Sequence, residues 1–266
     1  IEKCIKHLKD NGELIFIVPR DFIKATSAIK LNKFIYSQGT ITDWEDLGDE
    51  IIFPGFAPNC VIFRFEKNNF TRKTNKNLNF IESNGQLLFI KKNPEYKFSD
   101  YFFVKVGAVS GADEIFTNEN GNKSFVCSKT VETGETRKMF YNMEHELLLK
   151  NKKELINRKV KKFTDKNWYM WGRGYFESDL PRIYVNGKTR KNNPFFINEC
   201  KAYDGSILAI FPKFKIKDNE HLKLICEYLN KIDWEELGFK CGGRYLFNQK
   251  ALENILLIEK PKIFDI

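Results

Sequence analysis

A basic loop in the second half of the sequence contains the residues whose side chains are best suited to bind a ligand. It follows an Asn-Gly turn and sets three positive charges beside two amides. Lys and Arg neutralise phosphates, and the amide of asparagine pairs well with the edge of adenine. The loop therefore predicts a contact with nucleic acid, with a merely solvated run of charge as the alternative. The candidate residues are Lys188, Thr189, Arg190, Lys191, Asn192 and Asn193.

Aromatic and arginine side chains alternate with glycine in the sequence WYMWGRGY at residues 168–175. Trp171 and Arg173 in this cluster are candidates to stack on an exposed base or to wedge a DNA groove. Packing of the rings in a protein core is the favoured alternative. The basic stretch from Arg158 to Lys162, just upstream, is typical of a segment that neutralises a nucleic acid backbone.

Two glycine-containing segments add single candidates. Ser110 lies between Gly107 and Gly111, whose lack of side chains would let the backbone approach a phosphate or a base edge. An ordinary turn has the same pattern. Arg244 follows two glycines, and its guanidinium has the geometry to read guanine, although a phosphate or an acidic side chain would serve it equally well.

The usual catalytic and metal-binding patterns do not occur in this sequence. There are only three histidines, with no HExxH motif, no GxSxG elbow and no phosphate-binding P-loop. The six cysteines are scattered, with no CxxC pair and no histidine at zinc-ligand spacing, so they predict free thiols in a reducing cytoplasm. We therefore predict no catalytic residue and no metal site in this chain.

The bulk composition agrees with a folded protein that attracts polyanions. Hydrophobic residues make up 42% and aromatic residues 15% of the 266 positions, and the formal net charge is +9. A Lys-rich surface arising from codon bias would give the same charge. The apolar runs are too short to cross a bilayer and no signal peptide opens the chain, so the sequence predicts a cytoplasmic protein without a membrane segment.

The pattern of elements at the start of the chain predicts an α/β fold. Helical spacing over Ile1 to Leu8 ends at a glycine, and the aliphatic run Glu13 to Val18 is typical of a buried strand in a parallel sheet. A helix from Phe22 to Tyr36 and strands at 40–47 and 59–65 follow. Strands that alternate with helices in this way predict an α/β sheet whose first strands are missing.

Periodicity is lost after Glu66, where the sequence becomes polar and basic. We therefore divide the chain into a first domain at 1–66, a linker with connecting strands at 67–98, and a second domain at 99–266. Short strands separated by Asn-Gly and Asp-Gly turns, with helices near 144–155, 220–231 and 248–254, predict an α+β second domain.

Specific segments of the first domain resemble a known enzyme family. IEKCIKHLKDNGELIFIVPRDFI, followed by IIFPGFAPNCVIFRFEK, resembles the segment after the catalytic NPPY tetrapeptide in adenine-specific DNA methyltransferases of the TaqI-like gamma class. FFVKVGAVSGADEIF, KTRKNNPFF and GGRYLF are similar to the target-recognition domains of that family. The resemblance implies part of a Rossmann-like methyltransferase sheet followed by an α+β target-recognition domain.

The resemblance also implies roles for residues and partners. Methylation of the adenine amine requires the base to be flipped out of the duplex, and Phe53 matches the phenylalanine against which it lies in this family, with Phe56 as the alternate. The parent enzyme would use S-adenosylmethionine and act on double-stranded DNA within a restriction-modification system, beside a cognate restriction endonuclease that it need not contact.

The chain itself is expected to be inactive, because it has neither the donor-binding motif nor NPPY. The string NPFF at 193–196 lacks the second proline and lies in the recognition region. We therefore interpret it as a chance resemblance to the catalytic tetrapeptide. A start at Ile1 suggests a fragment, and this chain is expected to bind no donor. The alternative hypothesis is a non-catalytic DNA-binding specificity module. The recognised bases, a nuclease activity in the parent and the oligomeric state stay open.

Overall fold

The protein divides into two compact units. The computed structural model describes residues 1–48, 53, 60–91, 96–241, 243–257 and 264. Unit 1 comprises Ile1–Tyr101 and Ile232–Ile266, and unit 2 comprises Phe102–Lys231. Unit 2 thus begins close to the second domain expected from residue 99, but the end of the chain returns to unit 1. The segment expected to be a linker, 67–98, also belongs to unit 1.

The described helices are short. They are, in chain order, α1 Glu2–His7, α2 Ile29–Gln38, α3 Phe98–Tyr101, α4 Asp113–Phe116, α5 Thr130–Thr133, α6 Glu146–Leu149, α7 Lys152–Ile156, α8 Asn219–Lys231 and α9 Gln249–Glu253. Two turns of 3-10 helix, Arg20–Ile23 and Thr26–Ala28, precede α2. None of the helices in the described ranges is both long and apolar enough to cross a membrane.

The described strands form several small sheets. They are, in chain order, β1 Glu13–Pro19, β2 Gly39–Asp46, β3 Cys60–Lys67, β4 Asn79–Ser83, β5 Gln86–Ile90, β6 Tyr96–Lys97, β7 Phe102–Val106, β8 Lys123–Phe125, β9 Arg137–Met139, β10 Ile183–Asn186, β11 Lys188–Thr189, β12 Phe195–Phe196, β13 Ile207–Pro212, β14 Lys240–Cys241, β15 Arg244–Leu246 and β16 Leu256–Leu257. The fold is therefore mixed α/β.

The main sheet of unit 1 has the order β1-β3-β2, and both neighbours run antiparallel to β3. Phe63 on β3 is fully buried in the unit's core, where Ile5 of α1 and Ile35 of α2 are also buried. The sequence expectation of a β1 strand buried on both faces in a parallel sheet is wrong for the described residues. Ile15 and Ile17 on β1 are 65% and 39% exposed, because only the face carrying the alternate residues packs on the core.

Asn32 of α2 connects that helix to the rest of unit 1. Its side-chain amide is buried and donates to the carbonyls of Phe22 at 2.8 Å and Gly85 at 2.7 Å. Gly85 lies in the turn of the antiparallel hairpin β4–β5. Two further strand pairs, β6 with β16 and β14 with β15, complete the unit, so the C-terminal segment contributes strands to it.

Unit 2 is built on an antiparallel sheet of order β12-β10-β13-β7, with a separate hairpin β8–β9. Every residue of β10 is buried, since the strand is central in this sheet. The helix α8 follows, with Ile225 and Leu229 fully buried on one face. The main sheet of each unit is antiparallel in the described residues, so the Rossmann-like sheet expected from the sequence is not shown as such.

Candidate DNA-binding surface

The positive charge of the chain is concentrated in unit 2. Its residues, 102–231, include 24 Lys and Arg against 16 Asp and Glu, a difference of +8. The rest of the chain has 20 against 19, a difference of +1. A field that attracts polyanions therefore originates almost entirely from unit 2.

The basic loop predicted from the sequence lies at the surface of unit 2. It begins where β10 ends, and the amide of Gly187 donates to the carbonyl of Ser206 at 2.8 Å, which fixes the start of the loop to the beginning of β13. Five of its six candidate side chains are exposed. These are Lys188, Arg190, Lys191, Asn192 and Asn193.

Thr189, the sixth candidate, has a structural place in the loop. It is 8% exposed, and its hydroxyl accepts a hydrogen bond from the amide of Lys191 at 3.1 Å. Lys191 also forms an ion pair with Glu132 of α5 at 3.2 Å. The loop is thus held in shape, and Lys188 and Arg190 are its cations without a carboxylate partner among the described residues.

Trp171 belongs to the core of unit 2. It is 3% exposed, its ring stacks on Phe125 at a centroid distance of 4.8 Å, and its indole N–H donates to the carbonyl of Phe140 at 2.8 Å. The alternative of core packing therefore applies to Trp171, which has no free face for a base. Arg173, two residues later, is exposed and donates to the carbonyl of Gly107 at 3.0 Å.

Ser110 is also withdrawn from the surface, which corrects its assignment as a DNA contact. It is fully buried, its hydroxyl is hydrogen bonded to Asp113, and it accepts from the amide of Ala112 at 3.0 Å. At Gly107, a Cβ atom would lie 1.9 Å from the carbonyl oxygen of Asp204. Glycine is required there by the close approach of the protein's own chain, and no ligand is needed to explain it.

The basic stretch Arg158–Lys162 separates into one buried and several exposed cations. Arg158 is 7% exposed, whereas Lys159, Lys161 and Lys162 are exposed. Burial lowers the pKa of the Arg158 guanidinium to about 10, so it stays charged at neutral pH. In sequence the arginine is indistinguishable from its lysine neighbours, and its structural role was not foreseen.

A half-buried arginine in unit 2 was also missed by sequence reasoning. Arg137 of β9 lies 3.2 Å from the carboxylate of Asp113 and also pairs with Asp204, whose side chain is only 1% exposed. Attraction to these two carboxylates raises the pKa of Arg137, against the effect of its partial burial. The three side chains connect α4, β9 and the turn before β13. The charge of Arg137 is therefore paired within the protein.

Three sequence candidates lie in unit 1. Phe53 is 43% exposed, so part of its side chain is accessible to solvent. Phe56 falls outside the described residues. Arg244 is half-buried in β15, and this strand belongs to unit 1, so its grouping with the candidates of the second domain does not match the division of the chain.

Unit 1 also contains a cationic cavity of about 250 Å³ that the sequence did not indicate. Arg20, which lines it, forms an ion pair with Asp46 at 2.7 Å. The ammonium of the half-buried Lys24 lies 3.7 Å from the ring centroid of Phe239 and donates to the carbonyl of Leu237. Burial, with repulsion from Arg20, holds the pKa of Lys24 well below its usual range.

Metal ligands are not grouped in the part of the chain that the structure describes. No set of three or more His, Cys, Asp or Glu residues there is arranged to hold an ion. The cysteines whose side chains are described are free thiols.

Comparison with solved structures shows that the fold is similar to part of a restriction-modification enzyme. No family model and no curated protein sequence matches the chain. Among solved structures, it is similar to the Type IIL restriction-modification enzyme MmeI in complex with DNA, with a TM-score of 0.61 and 12% identity over 95% of this chain and 40% of that chain. The type IIG restriction endonuclease BpuSI aligns with a TM-score of 0.36 and 10% identity over 96% of this chain and 41% of that chain. The chain thus spans about 40% of the length of these proteins.

Proposed function

We propose that this chain is the C-terminal part of an adenine-specific DNA methyltransferase of a restriction-modification system, and that unit 2 is its target-recognition domain. The observation that carries the proposal is the likeness of nearly the whole chain to a restriction-modification enzyme solved with DNA. The excess of positive charge in unit 2 supports double-stranded DNA as the partner. The protein would act in the cytoplasm, where the DNA is.

The two units would have different tasks. In unit 2, the exposed loop with Lys188 and Arg190 would contact phosphates, and Asn192 and Asn193 would reach base edges. In unit 1, the exposed ring of Phe53 would support the flipped adenine. The adenine specificity rests on the sequence resemblance of unit 1 to the gamma-class enzymes.

The methyl donor of such an enzyme is S-adenosylmethionine, and the described residues do not suit it. The cavity of unit 1 is lined by the guanidinium of Arg20, whose positive charge would repel the positively charged sulfonium of the donor. We therefore derive no step of the reaction through this chain's own cavities, and we propose that donor binding and the NPPY residues belong to another part of a longer enzyme.

DNA binding by this chain is the first test of the proposal. Anisotropy of a labelled duplex of mixed sequence is measured with the purified chain over a range of salt concentrations. We expect an affinity that falls steeply as salt rises, because released counterions drive phosphate contacts. Calorimetry with S-adenosylmethionine, run in parallel, is expected to show no binding to this chain. A duplex affinity that is absent at low salt would sink the proposal.

Methyl transfer separates the proposal from its main alternative. The complete reading frame that contains this sequence is expressed, and transfer of labelled methyl groups from S-adenosylmethionine to adenine in duplex DNA is measured. We expect methylation that is lost when Phe53 is replaced by alanine. A protein that binds duplex DNA but never methylates it would instead be a non-catalytic specificity module.

A further inference from the structure

Arg158 is bound by four main-chain carbonyls of unit 2 and by no carboxylate among the described residues. Its guanidinium donates to Leu155 at 2.7 Å, Ser110 at 2.5 Å, Trp168 at 2.5 Å and Met170 at 2.9 Å. These carbonyls belong to three separate segments of the chain. A single fork of five donors thus fastens the end of α7, the loop before α4 and the aromatic segment to one another.

The rings around Arg158 complete its enclosure. Its guanidinium carbon lies 3.8 Å from the ring centroid of Phe163 and 5.1 Å from that of Phe116. Contact with aromatic faces favours the charged form of the group at a site where water is excluded. The guanidinium is therefore fully used by the protein, and Arg158 itself is not available to a ligand.

The residues that directly follow Arg158 are held at the surface as a consequence. Val160 fits against two glycines, because a Cβ atom at Gly111 would lie 2.9 Å, and one at Gly172 would lie 2.4 Å, from a Val160 methyl group. Lys159, Lys161 and Lys162 are exposed, and none forms an ion pair with a carboxylate in the described ranges. They form a row of uncompensated cations on a fixed piece of backbone, which we call the lysine edge.

A groove of about 550 Å³ in unit 2 is lined by neighbours of both the lysine edge and the basic loop. Gly111, which touches Val160, lines one part of the groove, and Ser206, which accepts from the amide of Gly187, lines another. The lining also includes the carboxylates of Asp113, Glu114 and Glu154. Phosphates are repelled from such a lining, so we expect the phosphates of a bound duplex to lie at the cations of the two basic segments and not in the groove.

We propose that the lysine edge, Lys159, Lys161 and Lys162, is a second phosphate-binding surface of unit 2 and that the buried Arg158 is its positioning residue. The proposal rests on the proposed function, because it assumes that unit 2 binds duplex DNA. It adds that DNA is held at two basic segments, one at the lysine edge and one at the loop with Lys188 and Arg190. Arg158 supplies no contact with DNA; it fixes the backbone from which the lysines extend.

The charge of the lysine edge is tested by a triple substitution, K159Q/K161Q/K162Q, in the full chain. Each lost phosphate contact lowers the slope of log K against log salt by about 0.9, so we expect a decrease of about 2 to 3 from the value of the unchanged chain. The matched control is K3Q/K30Q/K33Q, which removes the same charge from exposed positions on or next to α1 and α2 of unit 1. The control is expected to leave the slope as it is.

The positioning role is tested by variants that keep every charge. R158K retains the charge but cannot serve four carbonyls, and its DNA binding is measured below its unfolding temperature. G172A is the second variant, in case R158K does not fold, because the added Cβ would push Val160 and so displace the lysine edge. G174A is its control, since the nearest atom to a Cβ there is the Tyr141 hydroxyl at 3.2 Å. We expect a lower salt slope for R158K and G172A and an unchanged slope for G174A.

The outcomes distinguish the two proposals. A wild-type chain without salt-dependent duplex affinity overturns the proposed function and this inference with it. A wild-type chain that binds, with the triple lysine variant retaining its full slope, overturns only the lysine edge. If the triple variant loses slope but G172A does not, the lysines bind phosphate and the positioning by the Arg158 network is overturned.

Discussion

The indole N–H of Trp171 donates to the main-chain carbonyl of Phe140 at 2.8 Å, inside the aromatic core of unit 2. Phe125 and Tyr141 pack on the same indole, with centroid distances of 4.8 and 5.2 Å. An aromatic residue in a glycine- and arginine-rich segment is thus used to tie two loops of the protein together. Arg173, on the same segment, stays exposed.

Replacement of Trp171 by phenylalanine tests this structural role. We expect the free energy of unfolding to fall by about 1–3 kcal/mol, because the Phe140 carbonyl loses its partner and stays buried. Denaturant unfolding measures the change, and M170L, at a neighbouring half-exposed position, is the control. Duplex affinity of the folded W171F protein should equal that of the unchanged chain. A large loss of affinity with unchanged stability would contradict the core role.

The three cations of the basic loop are expected to contribute unequally to duplex binding. In K188Q/R190Q, two cations without a carboxylate partner are removed, so the salt slope of duplex binding should fall by about 2. K191Q should have a smaller effect, because Lys191 is already paired with Glu132 at 3.2 Å. E132Q releases that lysine and is expected to strengthen binding by less than about fivefold, the scale of an exposed ion pair. Equal losses for K188Q/R190Q and K191Q would argue against this assignment.

Phe53 and Phe63 differ in burial, and their substitutions should separate function from stability. F53A replaces a side chain that is 43% exposed, so the free energy of unfolding should change by about 0.5 kcal/mol or less. F63A empties a fully buried position and should lower it by about 3–5 kcal/mol. Denaturant titration of both variants makes the comparison. A strongly destabilised F53A would mean that the ring is needed by the fold.

Lys24 should make the stability of unit 1 dependent on pH. Burial depresses the pKa of its ammonium in the folded protein, so the unfolded chain binds more protons between that lowered value and the ordinary value of 10.5. Unfolding free energy must therefore rise with pH across this window. K24M removes the titrating group and should flatten the rise, whereas K30M, at an exposed position of α2, should leave it intact. Curves of the same slope for K24M and the unchanged chain would refute the assignment.

Elements defined by local patterns were predictable from the sequence. The sequence predicted a helix at 220–231, and the structure has α8 at Asn219–Lys231. The strand expected at 102–106 is β7, with the same bounds. In both segments the spacing of the apolar residues agrees with the face that packs on the core, so this spacing alone was sufficient to predict the element.

Burial and long-range contacts were not predictable in the same way. The aliphatic run of β1 gives no sign that Ile15 is 65% exposed, because the period of a strand does not reveal which of its faces other elements cover. Arg158 stands among lysines of the same charge, and only the four carbonyls around it distinguish its role. The return of residues 232–266 to unit 1 depends on pairs such as β6 with β16, which are far apart in sequence.

The unequal charge of the two units has a consequence for how DNA would be searched. Unit 2, with its excess of +8, would be drawn to any stretch of duplex, while unit 1, with +1, would feel little attraction. Binding of this sequence-independent kind lets a protein slide and hop along the double helix between encounters. Unit 2 would thus make the first contact with the duplex and stay bound while it moves from one site to the next. Unit 1 would need to bind the DNA only at the target sequence.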